Sequence, residues 1–86
     1  MFEIGKTYYI IAHSYYHYIG TVTAIWPHGV TIDNGVQVHS CQRSWTLFFR
    51  DGAKEDTRCD RVPDGTFVPA GSMPFYPWQH AIPEVK

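Results

Sequence analysis

Five histidines and two cysteines are the residues of this chain best suited to bind a metal. His13 and His17 are four residues apart, a spacing that joins two ligands on a helix, but the surrounding residues favour strand and loop. His39-Ser40-Cys41 and the distant Cys59 lack the paired Cys-x-x-Cys or His-x-x-x-His spacing of structural zinc sites. The sequence therefore predicts no metal site and no cofactor, and two small thiols that are buried or partly exposed.

The same residue types give little support for catalysis. His39 and Cys41 share one face of a regular strand, so a cysteine nucleophile beside a histidine base is geometrically possible. No oxyanion motif accompanies the pair, and neither Gly-x-Gly-x-x-Gly nor the Walker pattern occurs. The acidic residues available for an acid–base pair are more simply interpreted as a solvated edge: Asp51, Glu55, Asp56, Asp60 and Asp64. We therefore expect a protein that is not an enzyme.

Aromatic and arginine side chains indicate binding instead. Aromatic residues make up 16% of the chain, and planar guanidinium groups stack on rings or fork onto phosphates. The residues with these properties in the middle of the chain are Arg43, Trp45, Arg50, Arg58 and Arg61. They are sparse in one subunit, but a symmetric ring would repeat each of them around a shared axis. The competing interpretation is that the aromatics are core and the arginines pair with neighbouring aspartates.

The length and the charge of the chain limit the classes of protein to which it can belong. With 86 residues, the chain is expected to form one domain, 1–86, near the size at which a single core is only marginally sufficient. The N-terminus lacks the regions of a secretory signal, and no apolar run approaches the roughly 18 residues of a membrane span. The formal charge of −1 gives no overall field to attract nucleic acid. We therefore expect a reduced, cytoplasmic protein without membrane contact, stabilised by association with itself.

The elements that must position these residues are predicted to be β-strands. Tyr, Ile, Val, Thr and Trp suit a pleated surface, and nothing between residues 5 and 26 repeats at a helical spacing. Both faces of the first strand are apolar, so we expect sheet or a neighbouring subunit to cover each of them. The predicted strands are Thr7 to His13, Tyr18 to Trp26, Val30 to Asp33, Val36 to Ser40, Arg58 to Val62 and Thr66 to Val68.

Turn and helix signals separate these strands. Pro27-His28-Gly29 and Pro63-Asp64-Gly65 are typical of turns. Asn34-Gly35 predicts a type I′ hairpin, because that turn needs positive φ at both central residues. Ser44 to Arg50 is predicted to be a helical turn, with Ser44 as its N-cap and Gly52 as its end.

The composition changes at Pro69, where prolines begin to alternate with aromatic residues. Proline has no N–H donor, so this segment cannot run through the centre of a sheet. We predict an irregular tail, 69–86, that packs its aromatic side chains over an open end of the fold. The alternative is that the tail reaches a neighbouring subunit or a ligand.

Five short segments follow one another along the chain: Gly5-Lys6-Thr7-Tyr8, Gly20-Thr21-Val22, Val30 to Asp33, Asp56 to Pro63 and Trp78-Gln79-His80-Ala81-Ile82-Pro83. In order and spacing they resemble a family of short, largely uncharacterised proteins found in phage and bacterial genomes. The match spans nearly the whole chain. The resemblance implies a small SH3-like or Sm-like β-barrel, here of about five strands, of a kind that often assembles into rings. It also implies a phage origin and a host cytoplasm.

These observations combine into a hypothesis of function. We expect a self-associating, non-enzymatic binding protein that sequesters a small anionic ligand, such as a nucleotide signal, in host counter-defence. The predicted pocket between subunits consists of His13, Tyr15, Tyr16, His17, Arg43, Trp45 and Trp78. One alternative is a Sm-like ring that binds single-stranded nucleic acid by stacking. Another is a protein–protein adaptor whose aromatic segment, Phe75 to His80, docks on a host protein and inhibits it.

Overall fold

Antiparallel strands and one short helix build the chain in the computed structural model, which describes residues 1–12, 16–55, 57–71 and 74–85. In chain order the elements are β1 (Thr7–Ile11), β2 (His17–Trp26), β3 (Gly29–Ser40), α1 (Trp45–Asp51), β4 (Arg58–Arg61), β5 (Thr66–Val68) and β6 (Phe75–Pro77). The predicted all-β fold is confirmed. Within the described ranges, no helix is long and apolar enough to cross a membrane.

The six strands belong to one sheet with the order β4-β3-β2-β1-β6, and β5 pairs with β3 beside this path. In the described residues β4 and β6 are the two ends of that path, so the predicted closure into a barrel is not found. The lengths of the two strands are one reason, since β4 has four residues and β6 has three. Pro77 of β6 also has no N–H with which to donate to a further strand.

The long strand β3 replaces two predicted strands and the hairpin between them. Asn34 has the positive φ expected from the sequence, 53°, but the chain continues in the same direction through Gly35. The pairing with β2 shifts at this point, from Ile19–Val36 to Thr21–Asp33, which is the mark of a bulge. The predicted type I′ hairpin is therefore wrong. Positive φ at Asn34 instead accommodates an irregularity in one continuous strand.

The two halves of β3 have different partners beyond β2. Residues Val30 to Ile32 pair with β5, and Val36 to Ser40 pair with β4. Both pairings join residues far apart in sequence, so the residues next to Asn34-Gly35 do not predict them. They explain why β3 stays extended where a local turn signal predicts a reversal.

Close packing at Gly29 gives a test of the β3–β5 pairing. A Cβ atom at Gly29 would lie 2.1 Å from the carbonyl oxygen of Val68 and 2.8 Å from Cζ of Phe67. We expect Gly29→Ala to lower the free energy of unfolding by about 1–3 kcal/mol, because β5 must move away. Urea denaturation measures this. His28→Ala, an exposed change in the same turn, should stay within about 0.5 kcal/mol of the wild type, and equal stability of the two variants would contradict the pairing.

Side chains on the two faces of the sheet form two hydrophobic cores. One consists of Tyr8, Ile10, Ala12, Val22, Val30, Ile32, Val68 and Ala70. The other consists of Tyr9, Ile19, Val36, Val38, Cys41, Phe48, Cys59 and Trp78. Alternate residues of β1 enter opposite cores, which confirms that both of its faces are covered. Phe48 of α1 and Trp78 cover the second face, so a neighbouring subunit is not needed for it.

Helix α1 begins and ends where the sequence predicts. The Ser44 side chain accepts a hydrogen bond from the Leu47 N–H at 3.2 Å, as an N-cap does. Gly52 follows the helix with φ 83°, and its N–H donates to the carbonyl of Phe48 at 2.8 Å. Phe48 is the buried residue of the helix and anchors it to the second core.

The described part of the C-terminal segment, residues 69–71 and 74–85, is more regular than predicted. It contains β6, in which Tyr76 pairs with Tyr9 of β1. Trp78 then enters the second core, and its Nε1–H donates to the carbonyl of Ala81 at 3.1 Å. His80 lies within hydrogen-bond distance of the Phe49 carbonyl, with Nε2 and oxygen 3.0 Å apart. The segment therefore packs against the sheet and α1, and not over the end of a barrel.

Candidate aromatic binding groove

A groove of about 260 Å³ opens between α1, β1 and β6. The side chains that line it are Tyr9, Ile11, Trp45, Thr46, Phe49 and Tyr76. None of these residues carries a charge at neutral pH. Four of the six are aromatic, so the walls of this groove, which we call the aromatic groove, are suited to a planar apolar group.

Each element contributes to the groove through its own periodicity. Tyr9 and Ile11 are two residues apart on β1 and therefore point to the same face. Trp45 and Phe49 are four residues apart on α1, which brings them to the same side of the helix. Tyr76 comes from the edge strand β6, and its ring centroid lies 5.2 Å from that of Phe49. The groove thus exists only when both the helix and the C-terminal segment are packed on β1.

Tyr9, His17 and Trp45 form a connected group at one side of the groove. The Tyr9 hydroxyl and Nδ1 of His17 are 2.5 Å apart. The imidazole of His17 stacks on the indole of Trp45, with ring centroids 3.7 Å apart and an angle of 10° between the planes. His17 is therefore fixed between a strand and the helix, and one face of Trp45 is already covered by a planar heterocycle.

Burial sets the protonation states in this group. Tyr9 is only 2% exposed, and burial, with smaller effects of Cys41 and Tyr76, raises the pKa of its hydroxyl above the ordinary value. Tyr9 is therefore neutral at physiological pH and has a proton to donate. Burial also lowers the pKa of His17, which favours the neutral imidazole. With the imidazole proton on Nε2, the buried Tyr9 hydroxyl donates to Nδ1 of His17.

The structure brings together part of the predicted site. His17 and Trp45 are in contact, as described above, and Tyr16 is 55% exposed at the start of β2. Trp78 is buried behind the groove, with its ring centroid 6.0 Å from that of Tyr9, so it supports the site but does not line it. The predicted residues His13 and Tyr15 lie outside the described residues.

Arg43 makes its described contacts beside α1. Its Nη2 donates to the carbonyl of Gly52, directly after α1, and its guanidinium lies 5.8 Å from the centroid of the Phe48 ring. These contacts hold the end of the helix against the segment that precedes it. Arg43 is absent from the groove lining, so the predicted arginine contact to a ligand is not provided by Arg43 within one chain.

Sequence reasoning missed Tyr9, Ile11, Thr46, Phe49 and Tyr76 as site residues. A usable signal existed for one of them, because Phe49 follows Trp45 at the four-residue spacing of a helix face. No comparable signal joins Tyr76 to Tyr9. Their proximity depends on the pairing of β6 with β1, across more than 60 residues of chain.

The residues weighed for metal binding or catalysis each have contacts of their own. His39 is exposed, with Nε2 2.7 Å from a carboxylate oxygen of Asp60. Cys41 is buried, and its thiol donates to the carbonyl of Arg43 at 3.0 Å. Cys59 is also buried, and its thiol donates to the carbonyl of Glu84 at 3.4 Å. Among the described residues, no three His, Cys, Asp or Glu side chains are grouped as a metal site requires.

Two further depressions flank the end of α1. One, of about 330 Å³, shares Phe49 with the aromatic groove and is lined by Arg50, Pro77, Gln79 and His80. The other, of about 520 Å³, lies between residues 51–55 and 57 on one side and 80–84 on the other, and has both acidic and basic side chains in its walls. Arg50 donates from Nε and Nη2 to the two carboxylate oxygens of Asp51, at 2.9 and 3.0 Å.

Comparison with known proteins gives no match: no protein-family model, no curated protein and no solved structure is similar to this chain. At this level the chain is a small, mostly β protein with one open antiparallel sheet and one short helix. Its function must be inferred from the chemistry of the groove.

Proposed function

We propose that this is a non-enzymatic binding protein that holds the planar ring of a small molecule in the aromatic groove. The observation that carries this proposal is the uncharged, mostly aromatic lining of the groove. Trp45 shows how such a ring is held, because it already stacks on the imidazole of His17 at 3.7 Å. Stacking of this kind accepts any flat ring and does not require hydrogen bonds to particular ring atoms.

The size of the groove limits which part of a ligand it takes. A volume of about 260 Å³ lies just below the range of about 300–1,000 Å³ that is usual for small-molecule sites. A bicyclic ring fits this space better than an entire nucleotide does. For a nucleotide, the base would occupy the groove, and the sugar and phosphate would extend beyond it.

Arg50 is our candidate cation for such an extension, because it lines a depression that shares Phe49 with the aromatic groove. Its guanidinium is exposed and already bonded to Asp51, so a phosphate would compete for it in water. We expect Arg50→Gln to weaken binding of AMP about two- to fivefold and to leave binding of adenosine unchanged. Isothermal titration calorimetry measures both.

Arg58→Gln is the matched control for this prediction, since Arg58 is an exposed arginine on β4, at the other end of the sheet. It should affect neither ligand. An equal loss of AMP affinity in both variants would show that only the overall charge matters. The position assigned to the phosphate would then be wrong.

The proposal as a whole is tested by titrating the protein with adenosine, guanosine, cytidine, uridine and their monophosphates. We expect at least one purine compound to bind with a Kd of about 1 mM or lower. Binding should depend weakly on salt, because the groove itself is uncharged. If none of these planar compounds binds, the ring-binding function is wrong.

Self-association and a role in host counter-defence are separate proposals. They are supported by the small size of the chain and by the resemblance to phage proteins with SH3-like or Sm-like folds. In an assembly, a second subunit would supply further cations to a ligand that extends out of the groove. Native mass spectrometry of the purified protein reports the number of subunits and any retained small molecule. A bare monomer at all concentrations would contradict the shared site.

A further inference from the structure

His17 joins the strand side of the aromatic groove to its helix side without being one of the lining residues. We propose that His17 is a positioning residue, which holds Trp45 in place for ring binding only while its imidazole is neutral. Protonation of His17 at mildly acidic pH therefore releases the bound ring. This inference rests on the proposed function, because it concerns the control of the same groove.

The geometry gives His17 two contacts that depend on each other. Its ring face lies against Trp45, 3.7 Å between centroids, and its Nδ1 is 2.5 Å from the Tyr9 hydroxyl. In the sheet, His17 pairs with Ile11 of β1 and Val38 of β3, so its backbone is fixed. The hydrogen bond from Tyr9 then sets the direction of the imidazole, and the imidazole sets the position of the indole.

Protonation changes one of these contacts more than the other. A protonated imidazole still attracts the Trp45 face, but Nδ1 now carries a hydrogen and donates to the Tyr9 hydroxyl oxygen, so it no longer accepts the Tyr9 hydrogen. The Tyr9 hydroxyl is buried, and His17 is its hydrogen-bond partner among the described residues, so its donor is left unsatisfied. The ring therefore shifts to restore solvation, and the wall of the groove shifts with it.

The surroundings of His17 do not offset its charge. Of the described titratable groups, Tyr9 of β1 contacts it directly, and Cys41, after β3, and Tyr76, of β6, face Tyr9. These three side chains are two phenols and a thiol, not carboxylates, and Trp45 of α1 has no titratable group. Burial is the cause that lowers the pKa of His17, with no contribution from a described carboxylate. His17 is thus neutral near pH 7. It becomes protonated as the pH falls below the ordinary histidine pKa of 6.5 and reaches the lowered pKa of His17 in the folded protein.

The test compares adenosine binding at several pH values between 8 and 5, with circular dichroism to confirm that the protein stays folded. We expect the wild type to bind adenosine about fivefold more weakly at pH 5 than at pH 7.5, the effect of one hydrogen bond. His17→Phe keeps a planar ring against Trp45 but cannot be protonated, so its affinity should be constant over this range. A constant wild-type affinity would overturn the proposal.

A second measurement works without a ligand and with a variant that leaves His17 in place. The indole N–H signal of Trp45 in a two-dimensional NMR spectrum should move with the titration of His17, and that of Trp26 should not. In Tyr9→Phe, which lacks the hydroxyl, the Trp45 signal should move less as His17 titrates. If adenosine does not bind at any pH, the proposed function fails. A Trp45 signal that ignores the His17 titration overturns the positioning role itself.

Discussion

Replacement of Trp78 by alanine is expected to lower the free energy of unfolding by about 3–5 kcal/mol. Trp78 is only 5% exposed and is part of the core that α1 covers, with its ring centroid 5.2 Å from that of Phe48. The shortened side chain leaves a cavity between β1, the helix and the C-terminal segment. Chemical denaturation followed by circular dichroism measures the loss, which is large for a chain of this size.

Trp26→Ala is the matched control, because Trp26 is 54% exposed at the end of β2. It should cost about 1 kcal/mol or less. Removal of residues 74–86 should unfold the protein, since this deletion removes β6 together with Trp78. A truncated protein with native stability would contradict the account, and would favour a C-terminal segment that is free to dock on a partner.

Replacement of Trp45 by alanine is expected to weaken the binding of a planar ligand at least tenfold, and to leave the protein folded. A stacked aromatic side chain contributes about 1–3 kcal/mol to each base that it contacts. Trp45 is only partly buried, on the exposed side of the second core, so most of that core survives its loss. Titration of the variant with adenosine, after its fold has been verified, measures the effect.

Trp26→Ala again serves as the control. It removes an indole from β2, whereas the lining of the groove comes from β1, α1 and β6. It should bind adenosine as the wild type does. Arg43→Ala tests the earlier expectation for that arginine, and should act on stability through Gly52 more than on affinity. Unchanged affinity in Trp45→Ala would show that the ligand binds elsewhere.

The sequence predicts local structure in this protein better than long-range structure. Residue types alone indicate the caps of α1 at Ser44 and Gly52, and the alternation of β1 indicates that both of its faces are buried. Asn34 adopts positive φ as expected, but the pairing of β3 with three other strands decides that the chain does not reverse there. Such pairings join residues far apart in sequence, so a local pattern does not contain them.

In the candidate site, too, residues recognisable by their type could be predicted, and residues brought in by long-range strand pairing could not. Trp45 lines the groove and His17 stacks on it, and both were candidates because a flat cationic or aromatic side chain is recognisable by its type. Arg43 was assigned to it on the same ground, although its guanidinium is used to hold the end of α1. Tyr76 was missed because only the pairing of β6 with β1 brings it to Tyr9.

The central claim is that the aromatic groove binds a planar ring, and the most direct test is to observe nuclear Overhauser effects between adenosine and the protein by NMR. The account predicts contacts from the base protons of adenosine to the ring protons of Trp45, Phe49 and Tyr76, and none to Trp26. Contacts to Trp26, or a base that shows no contact with any of the three groove rings, would contradict it.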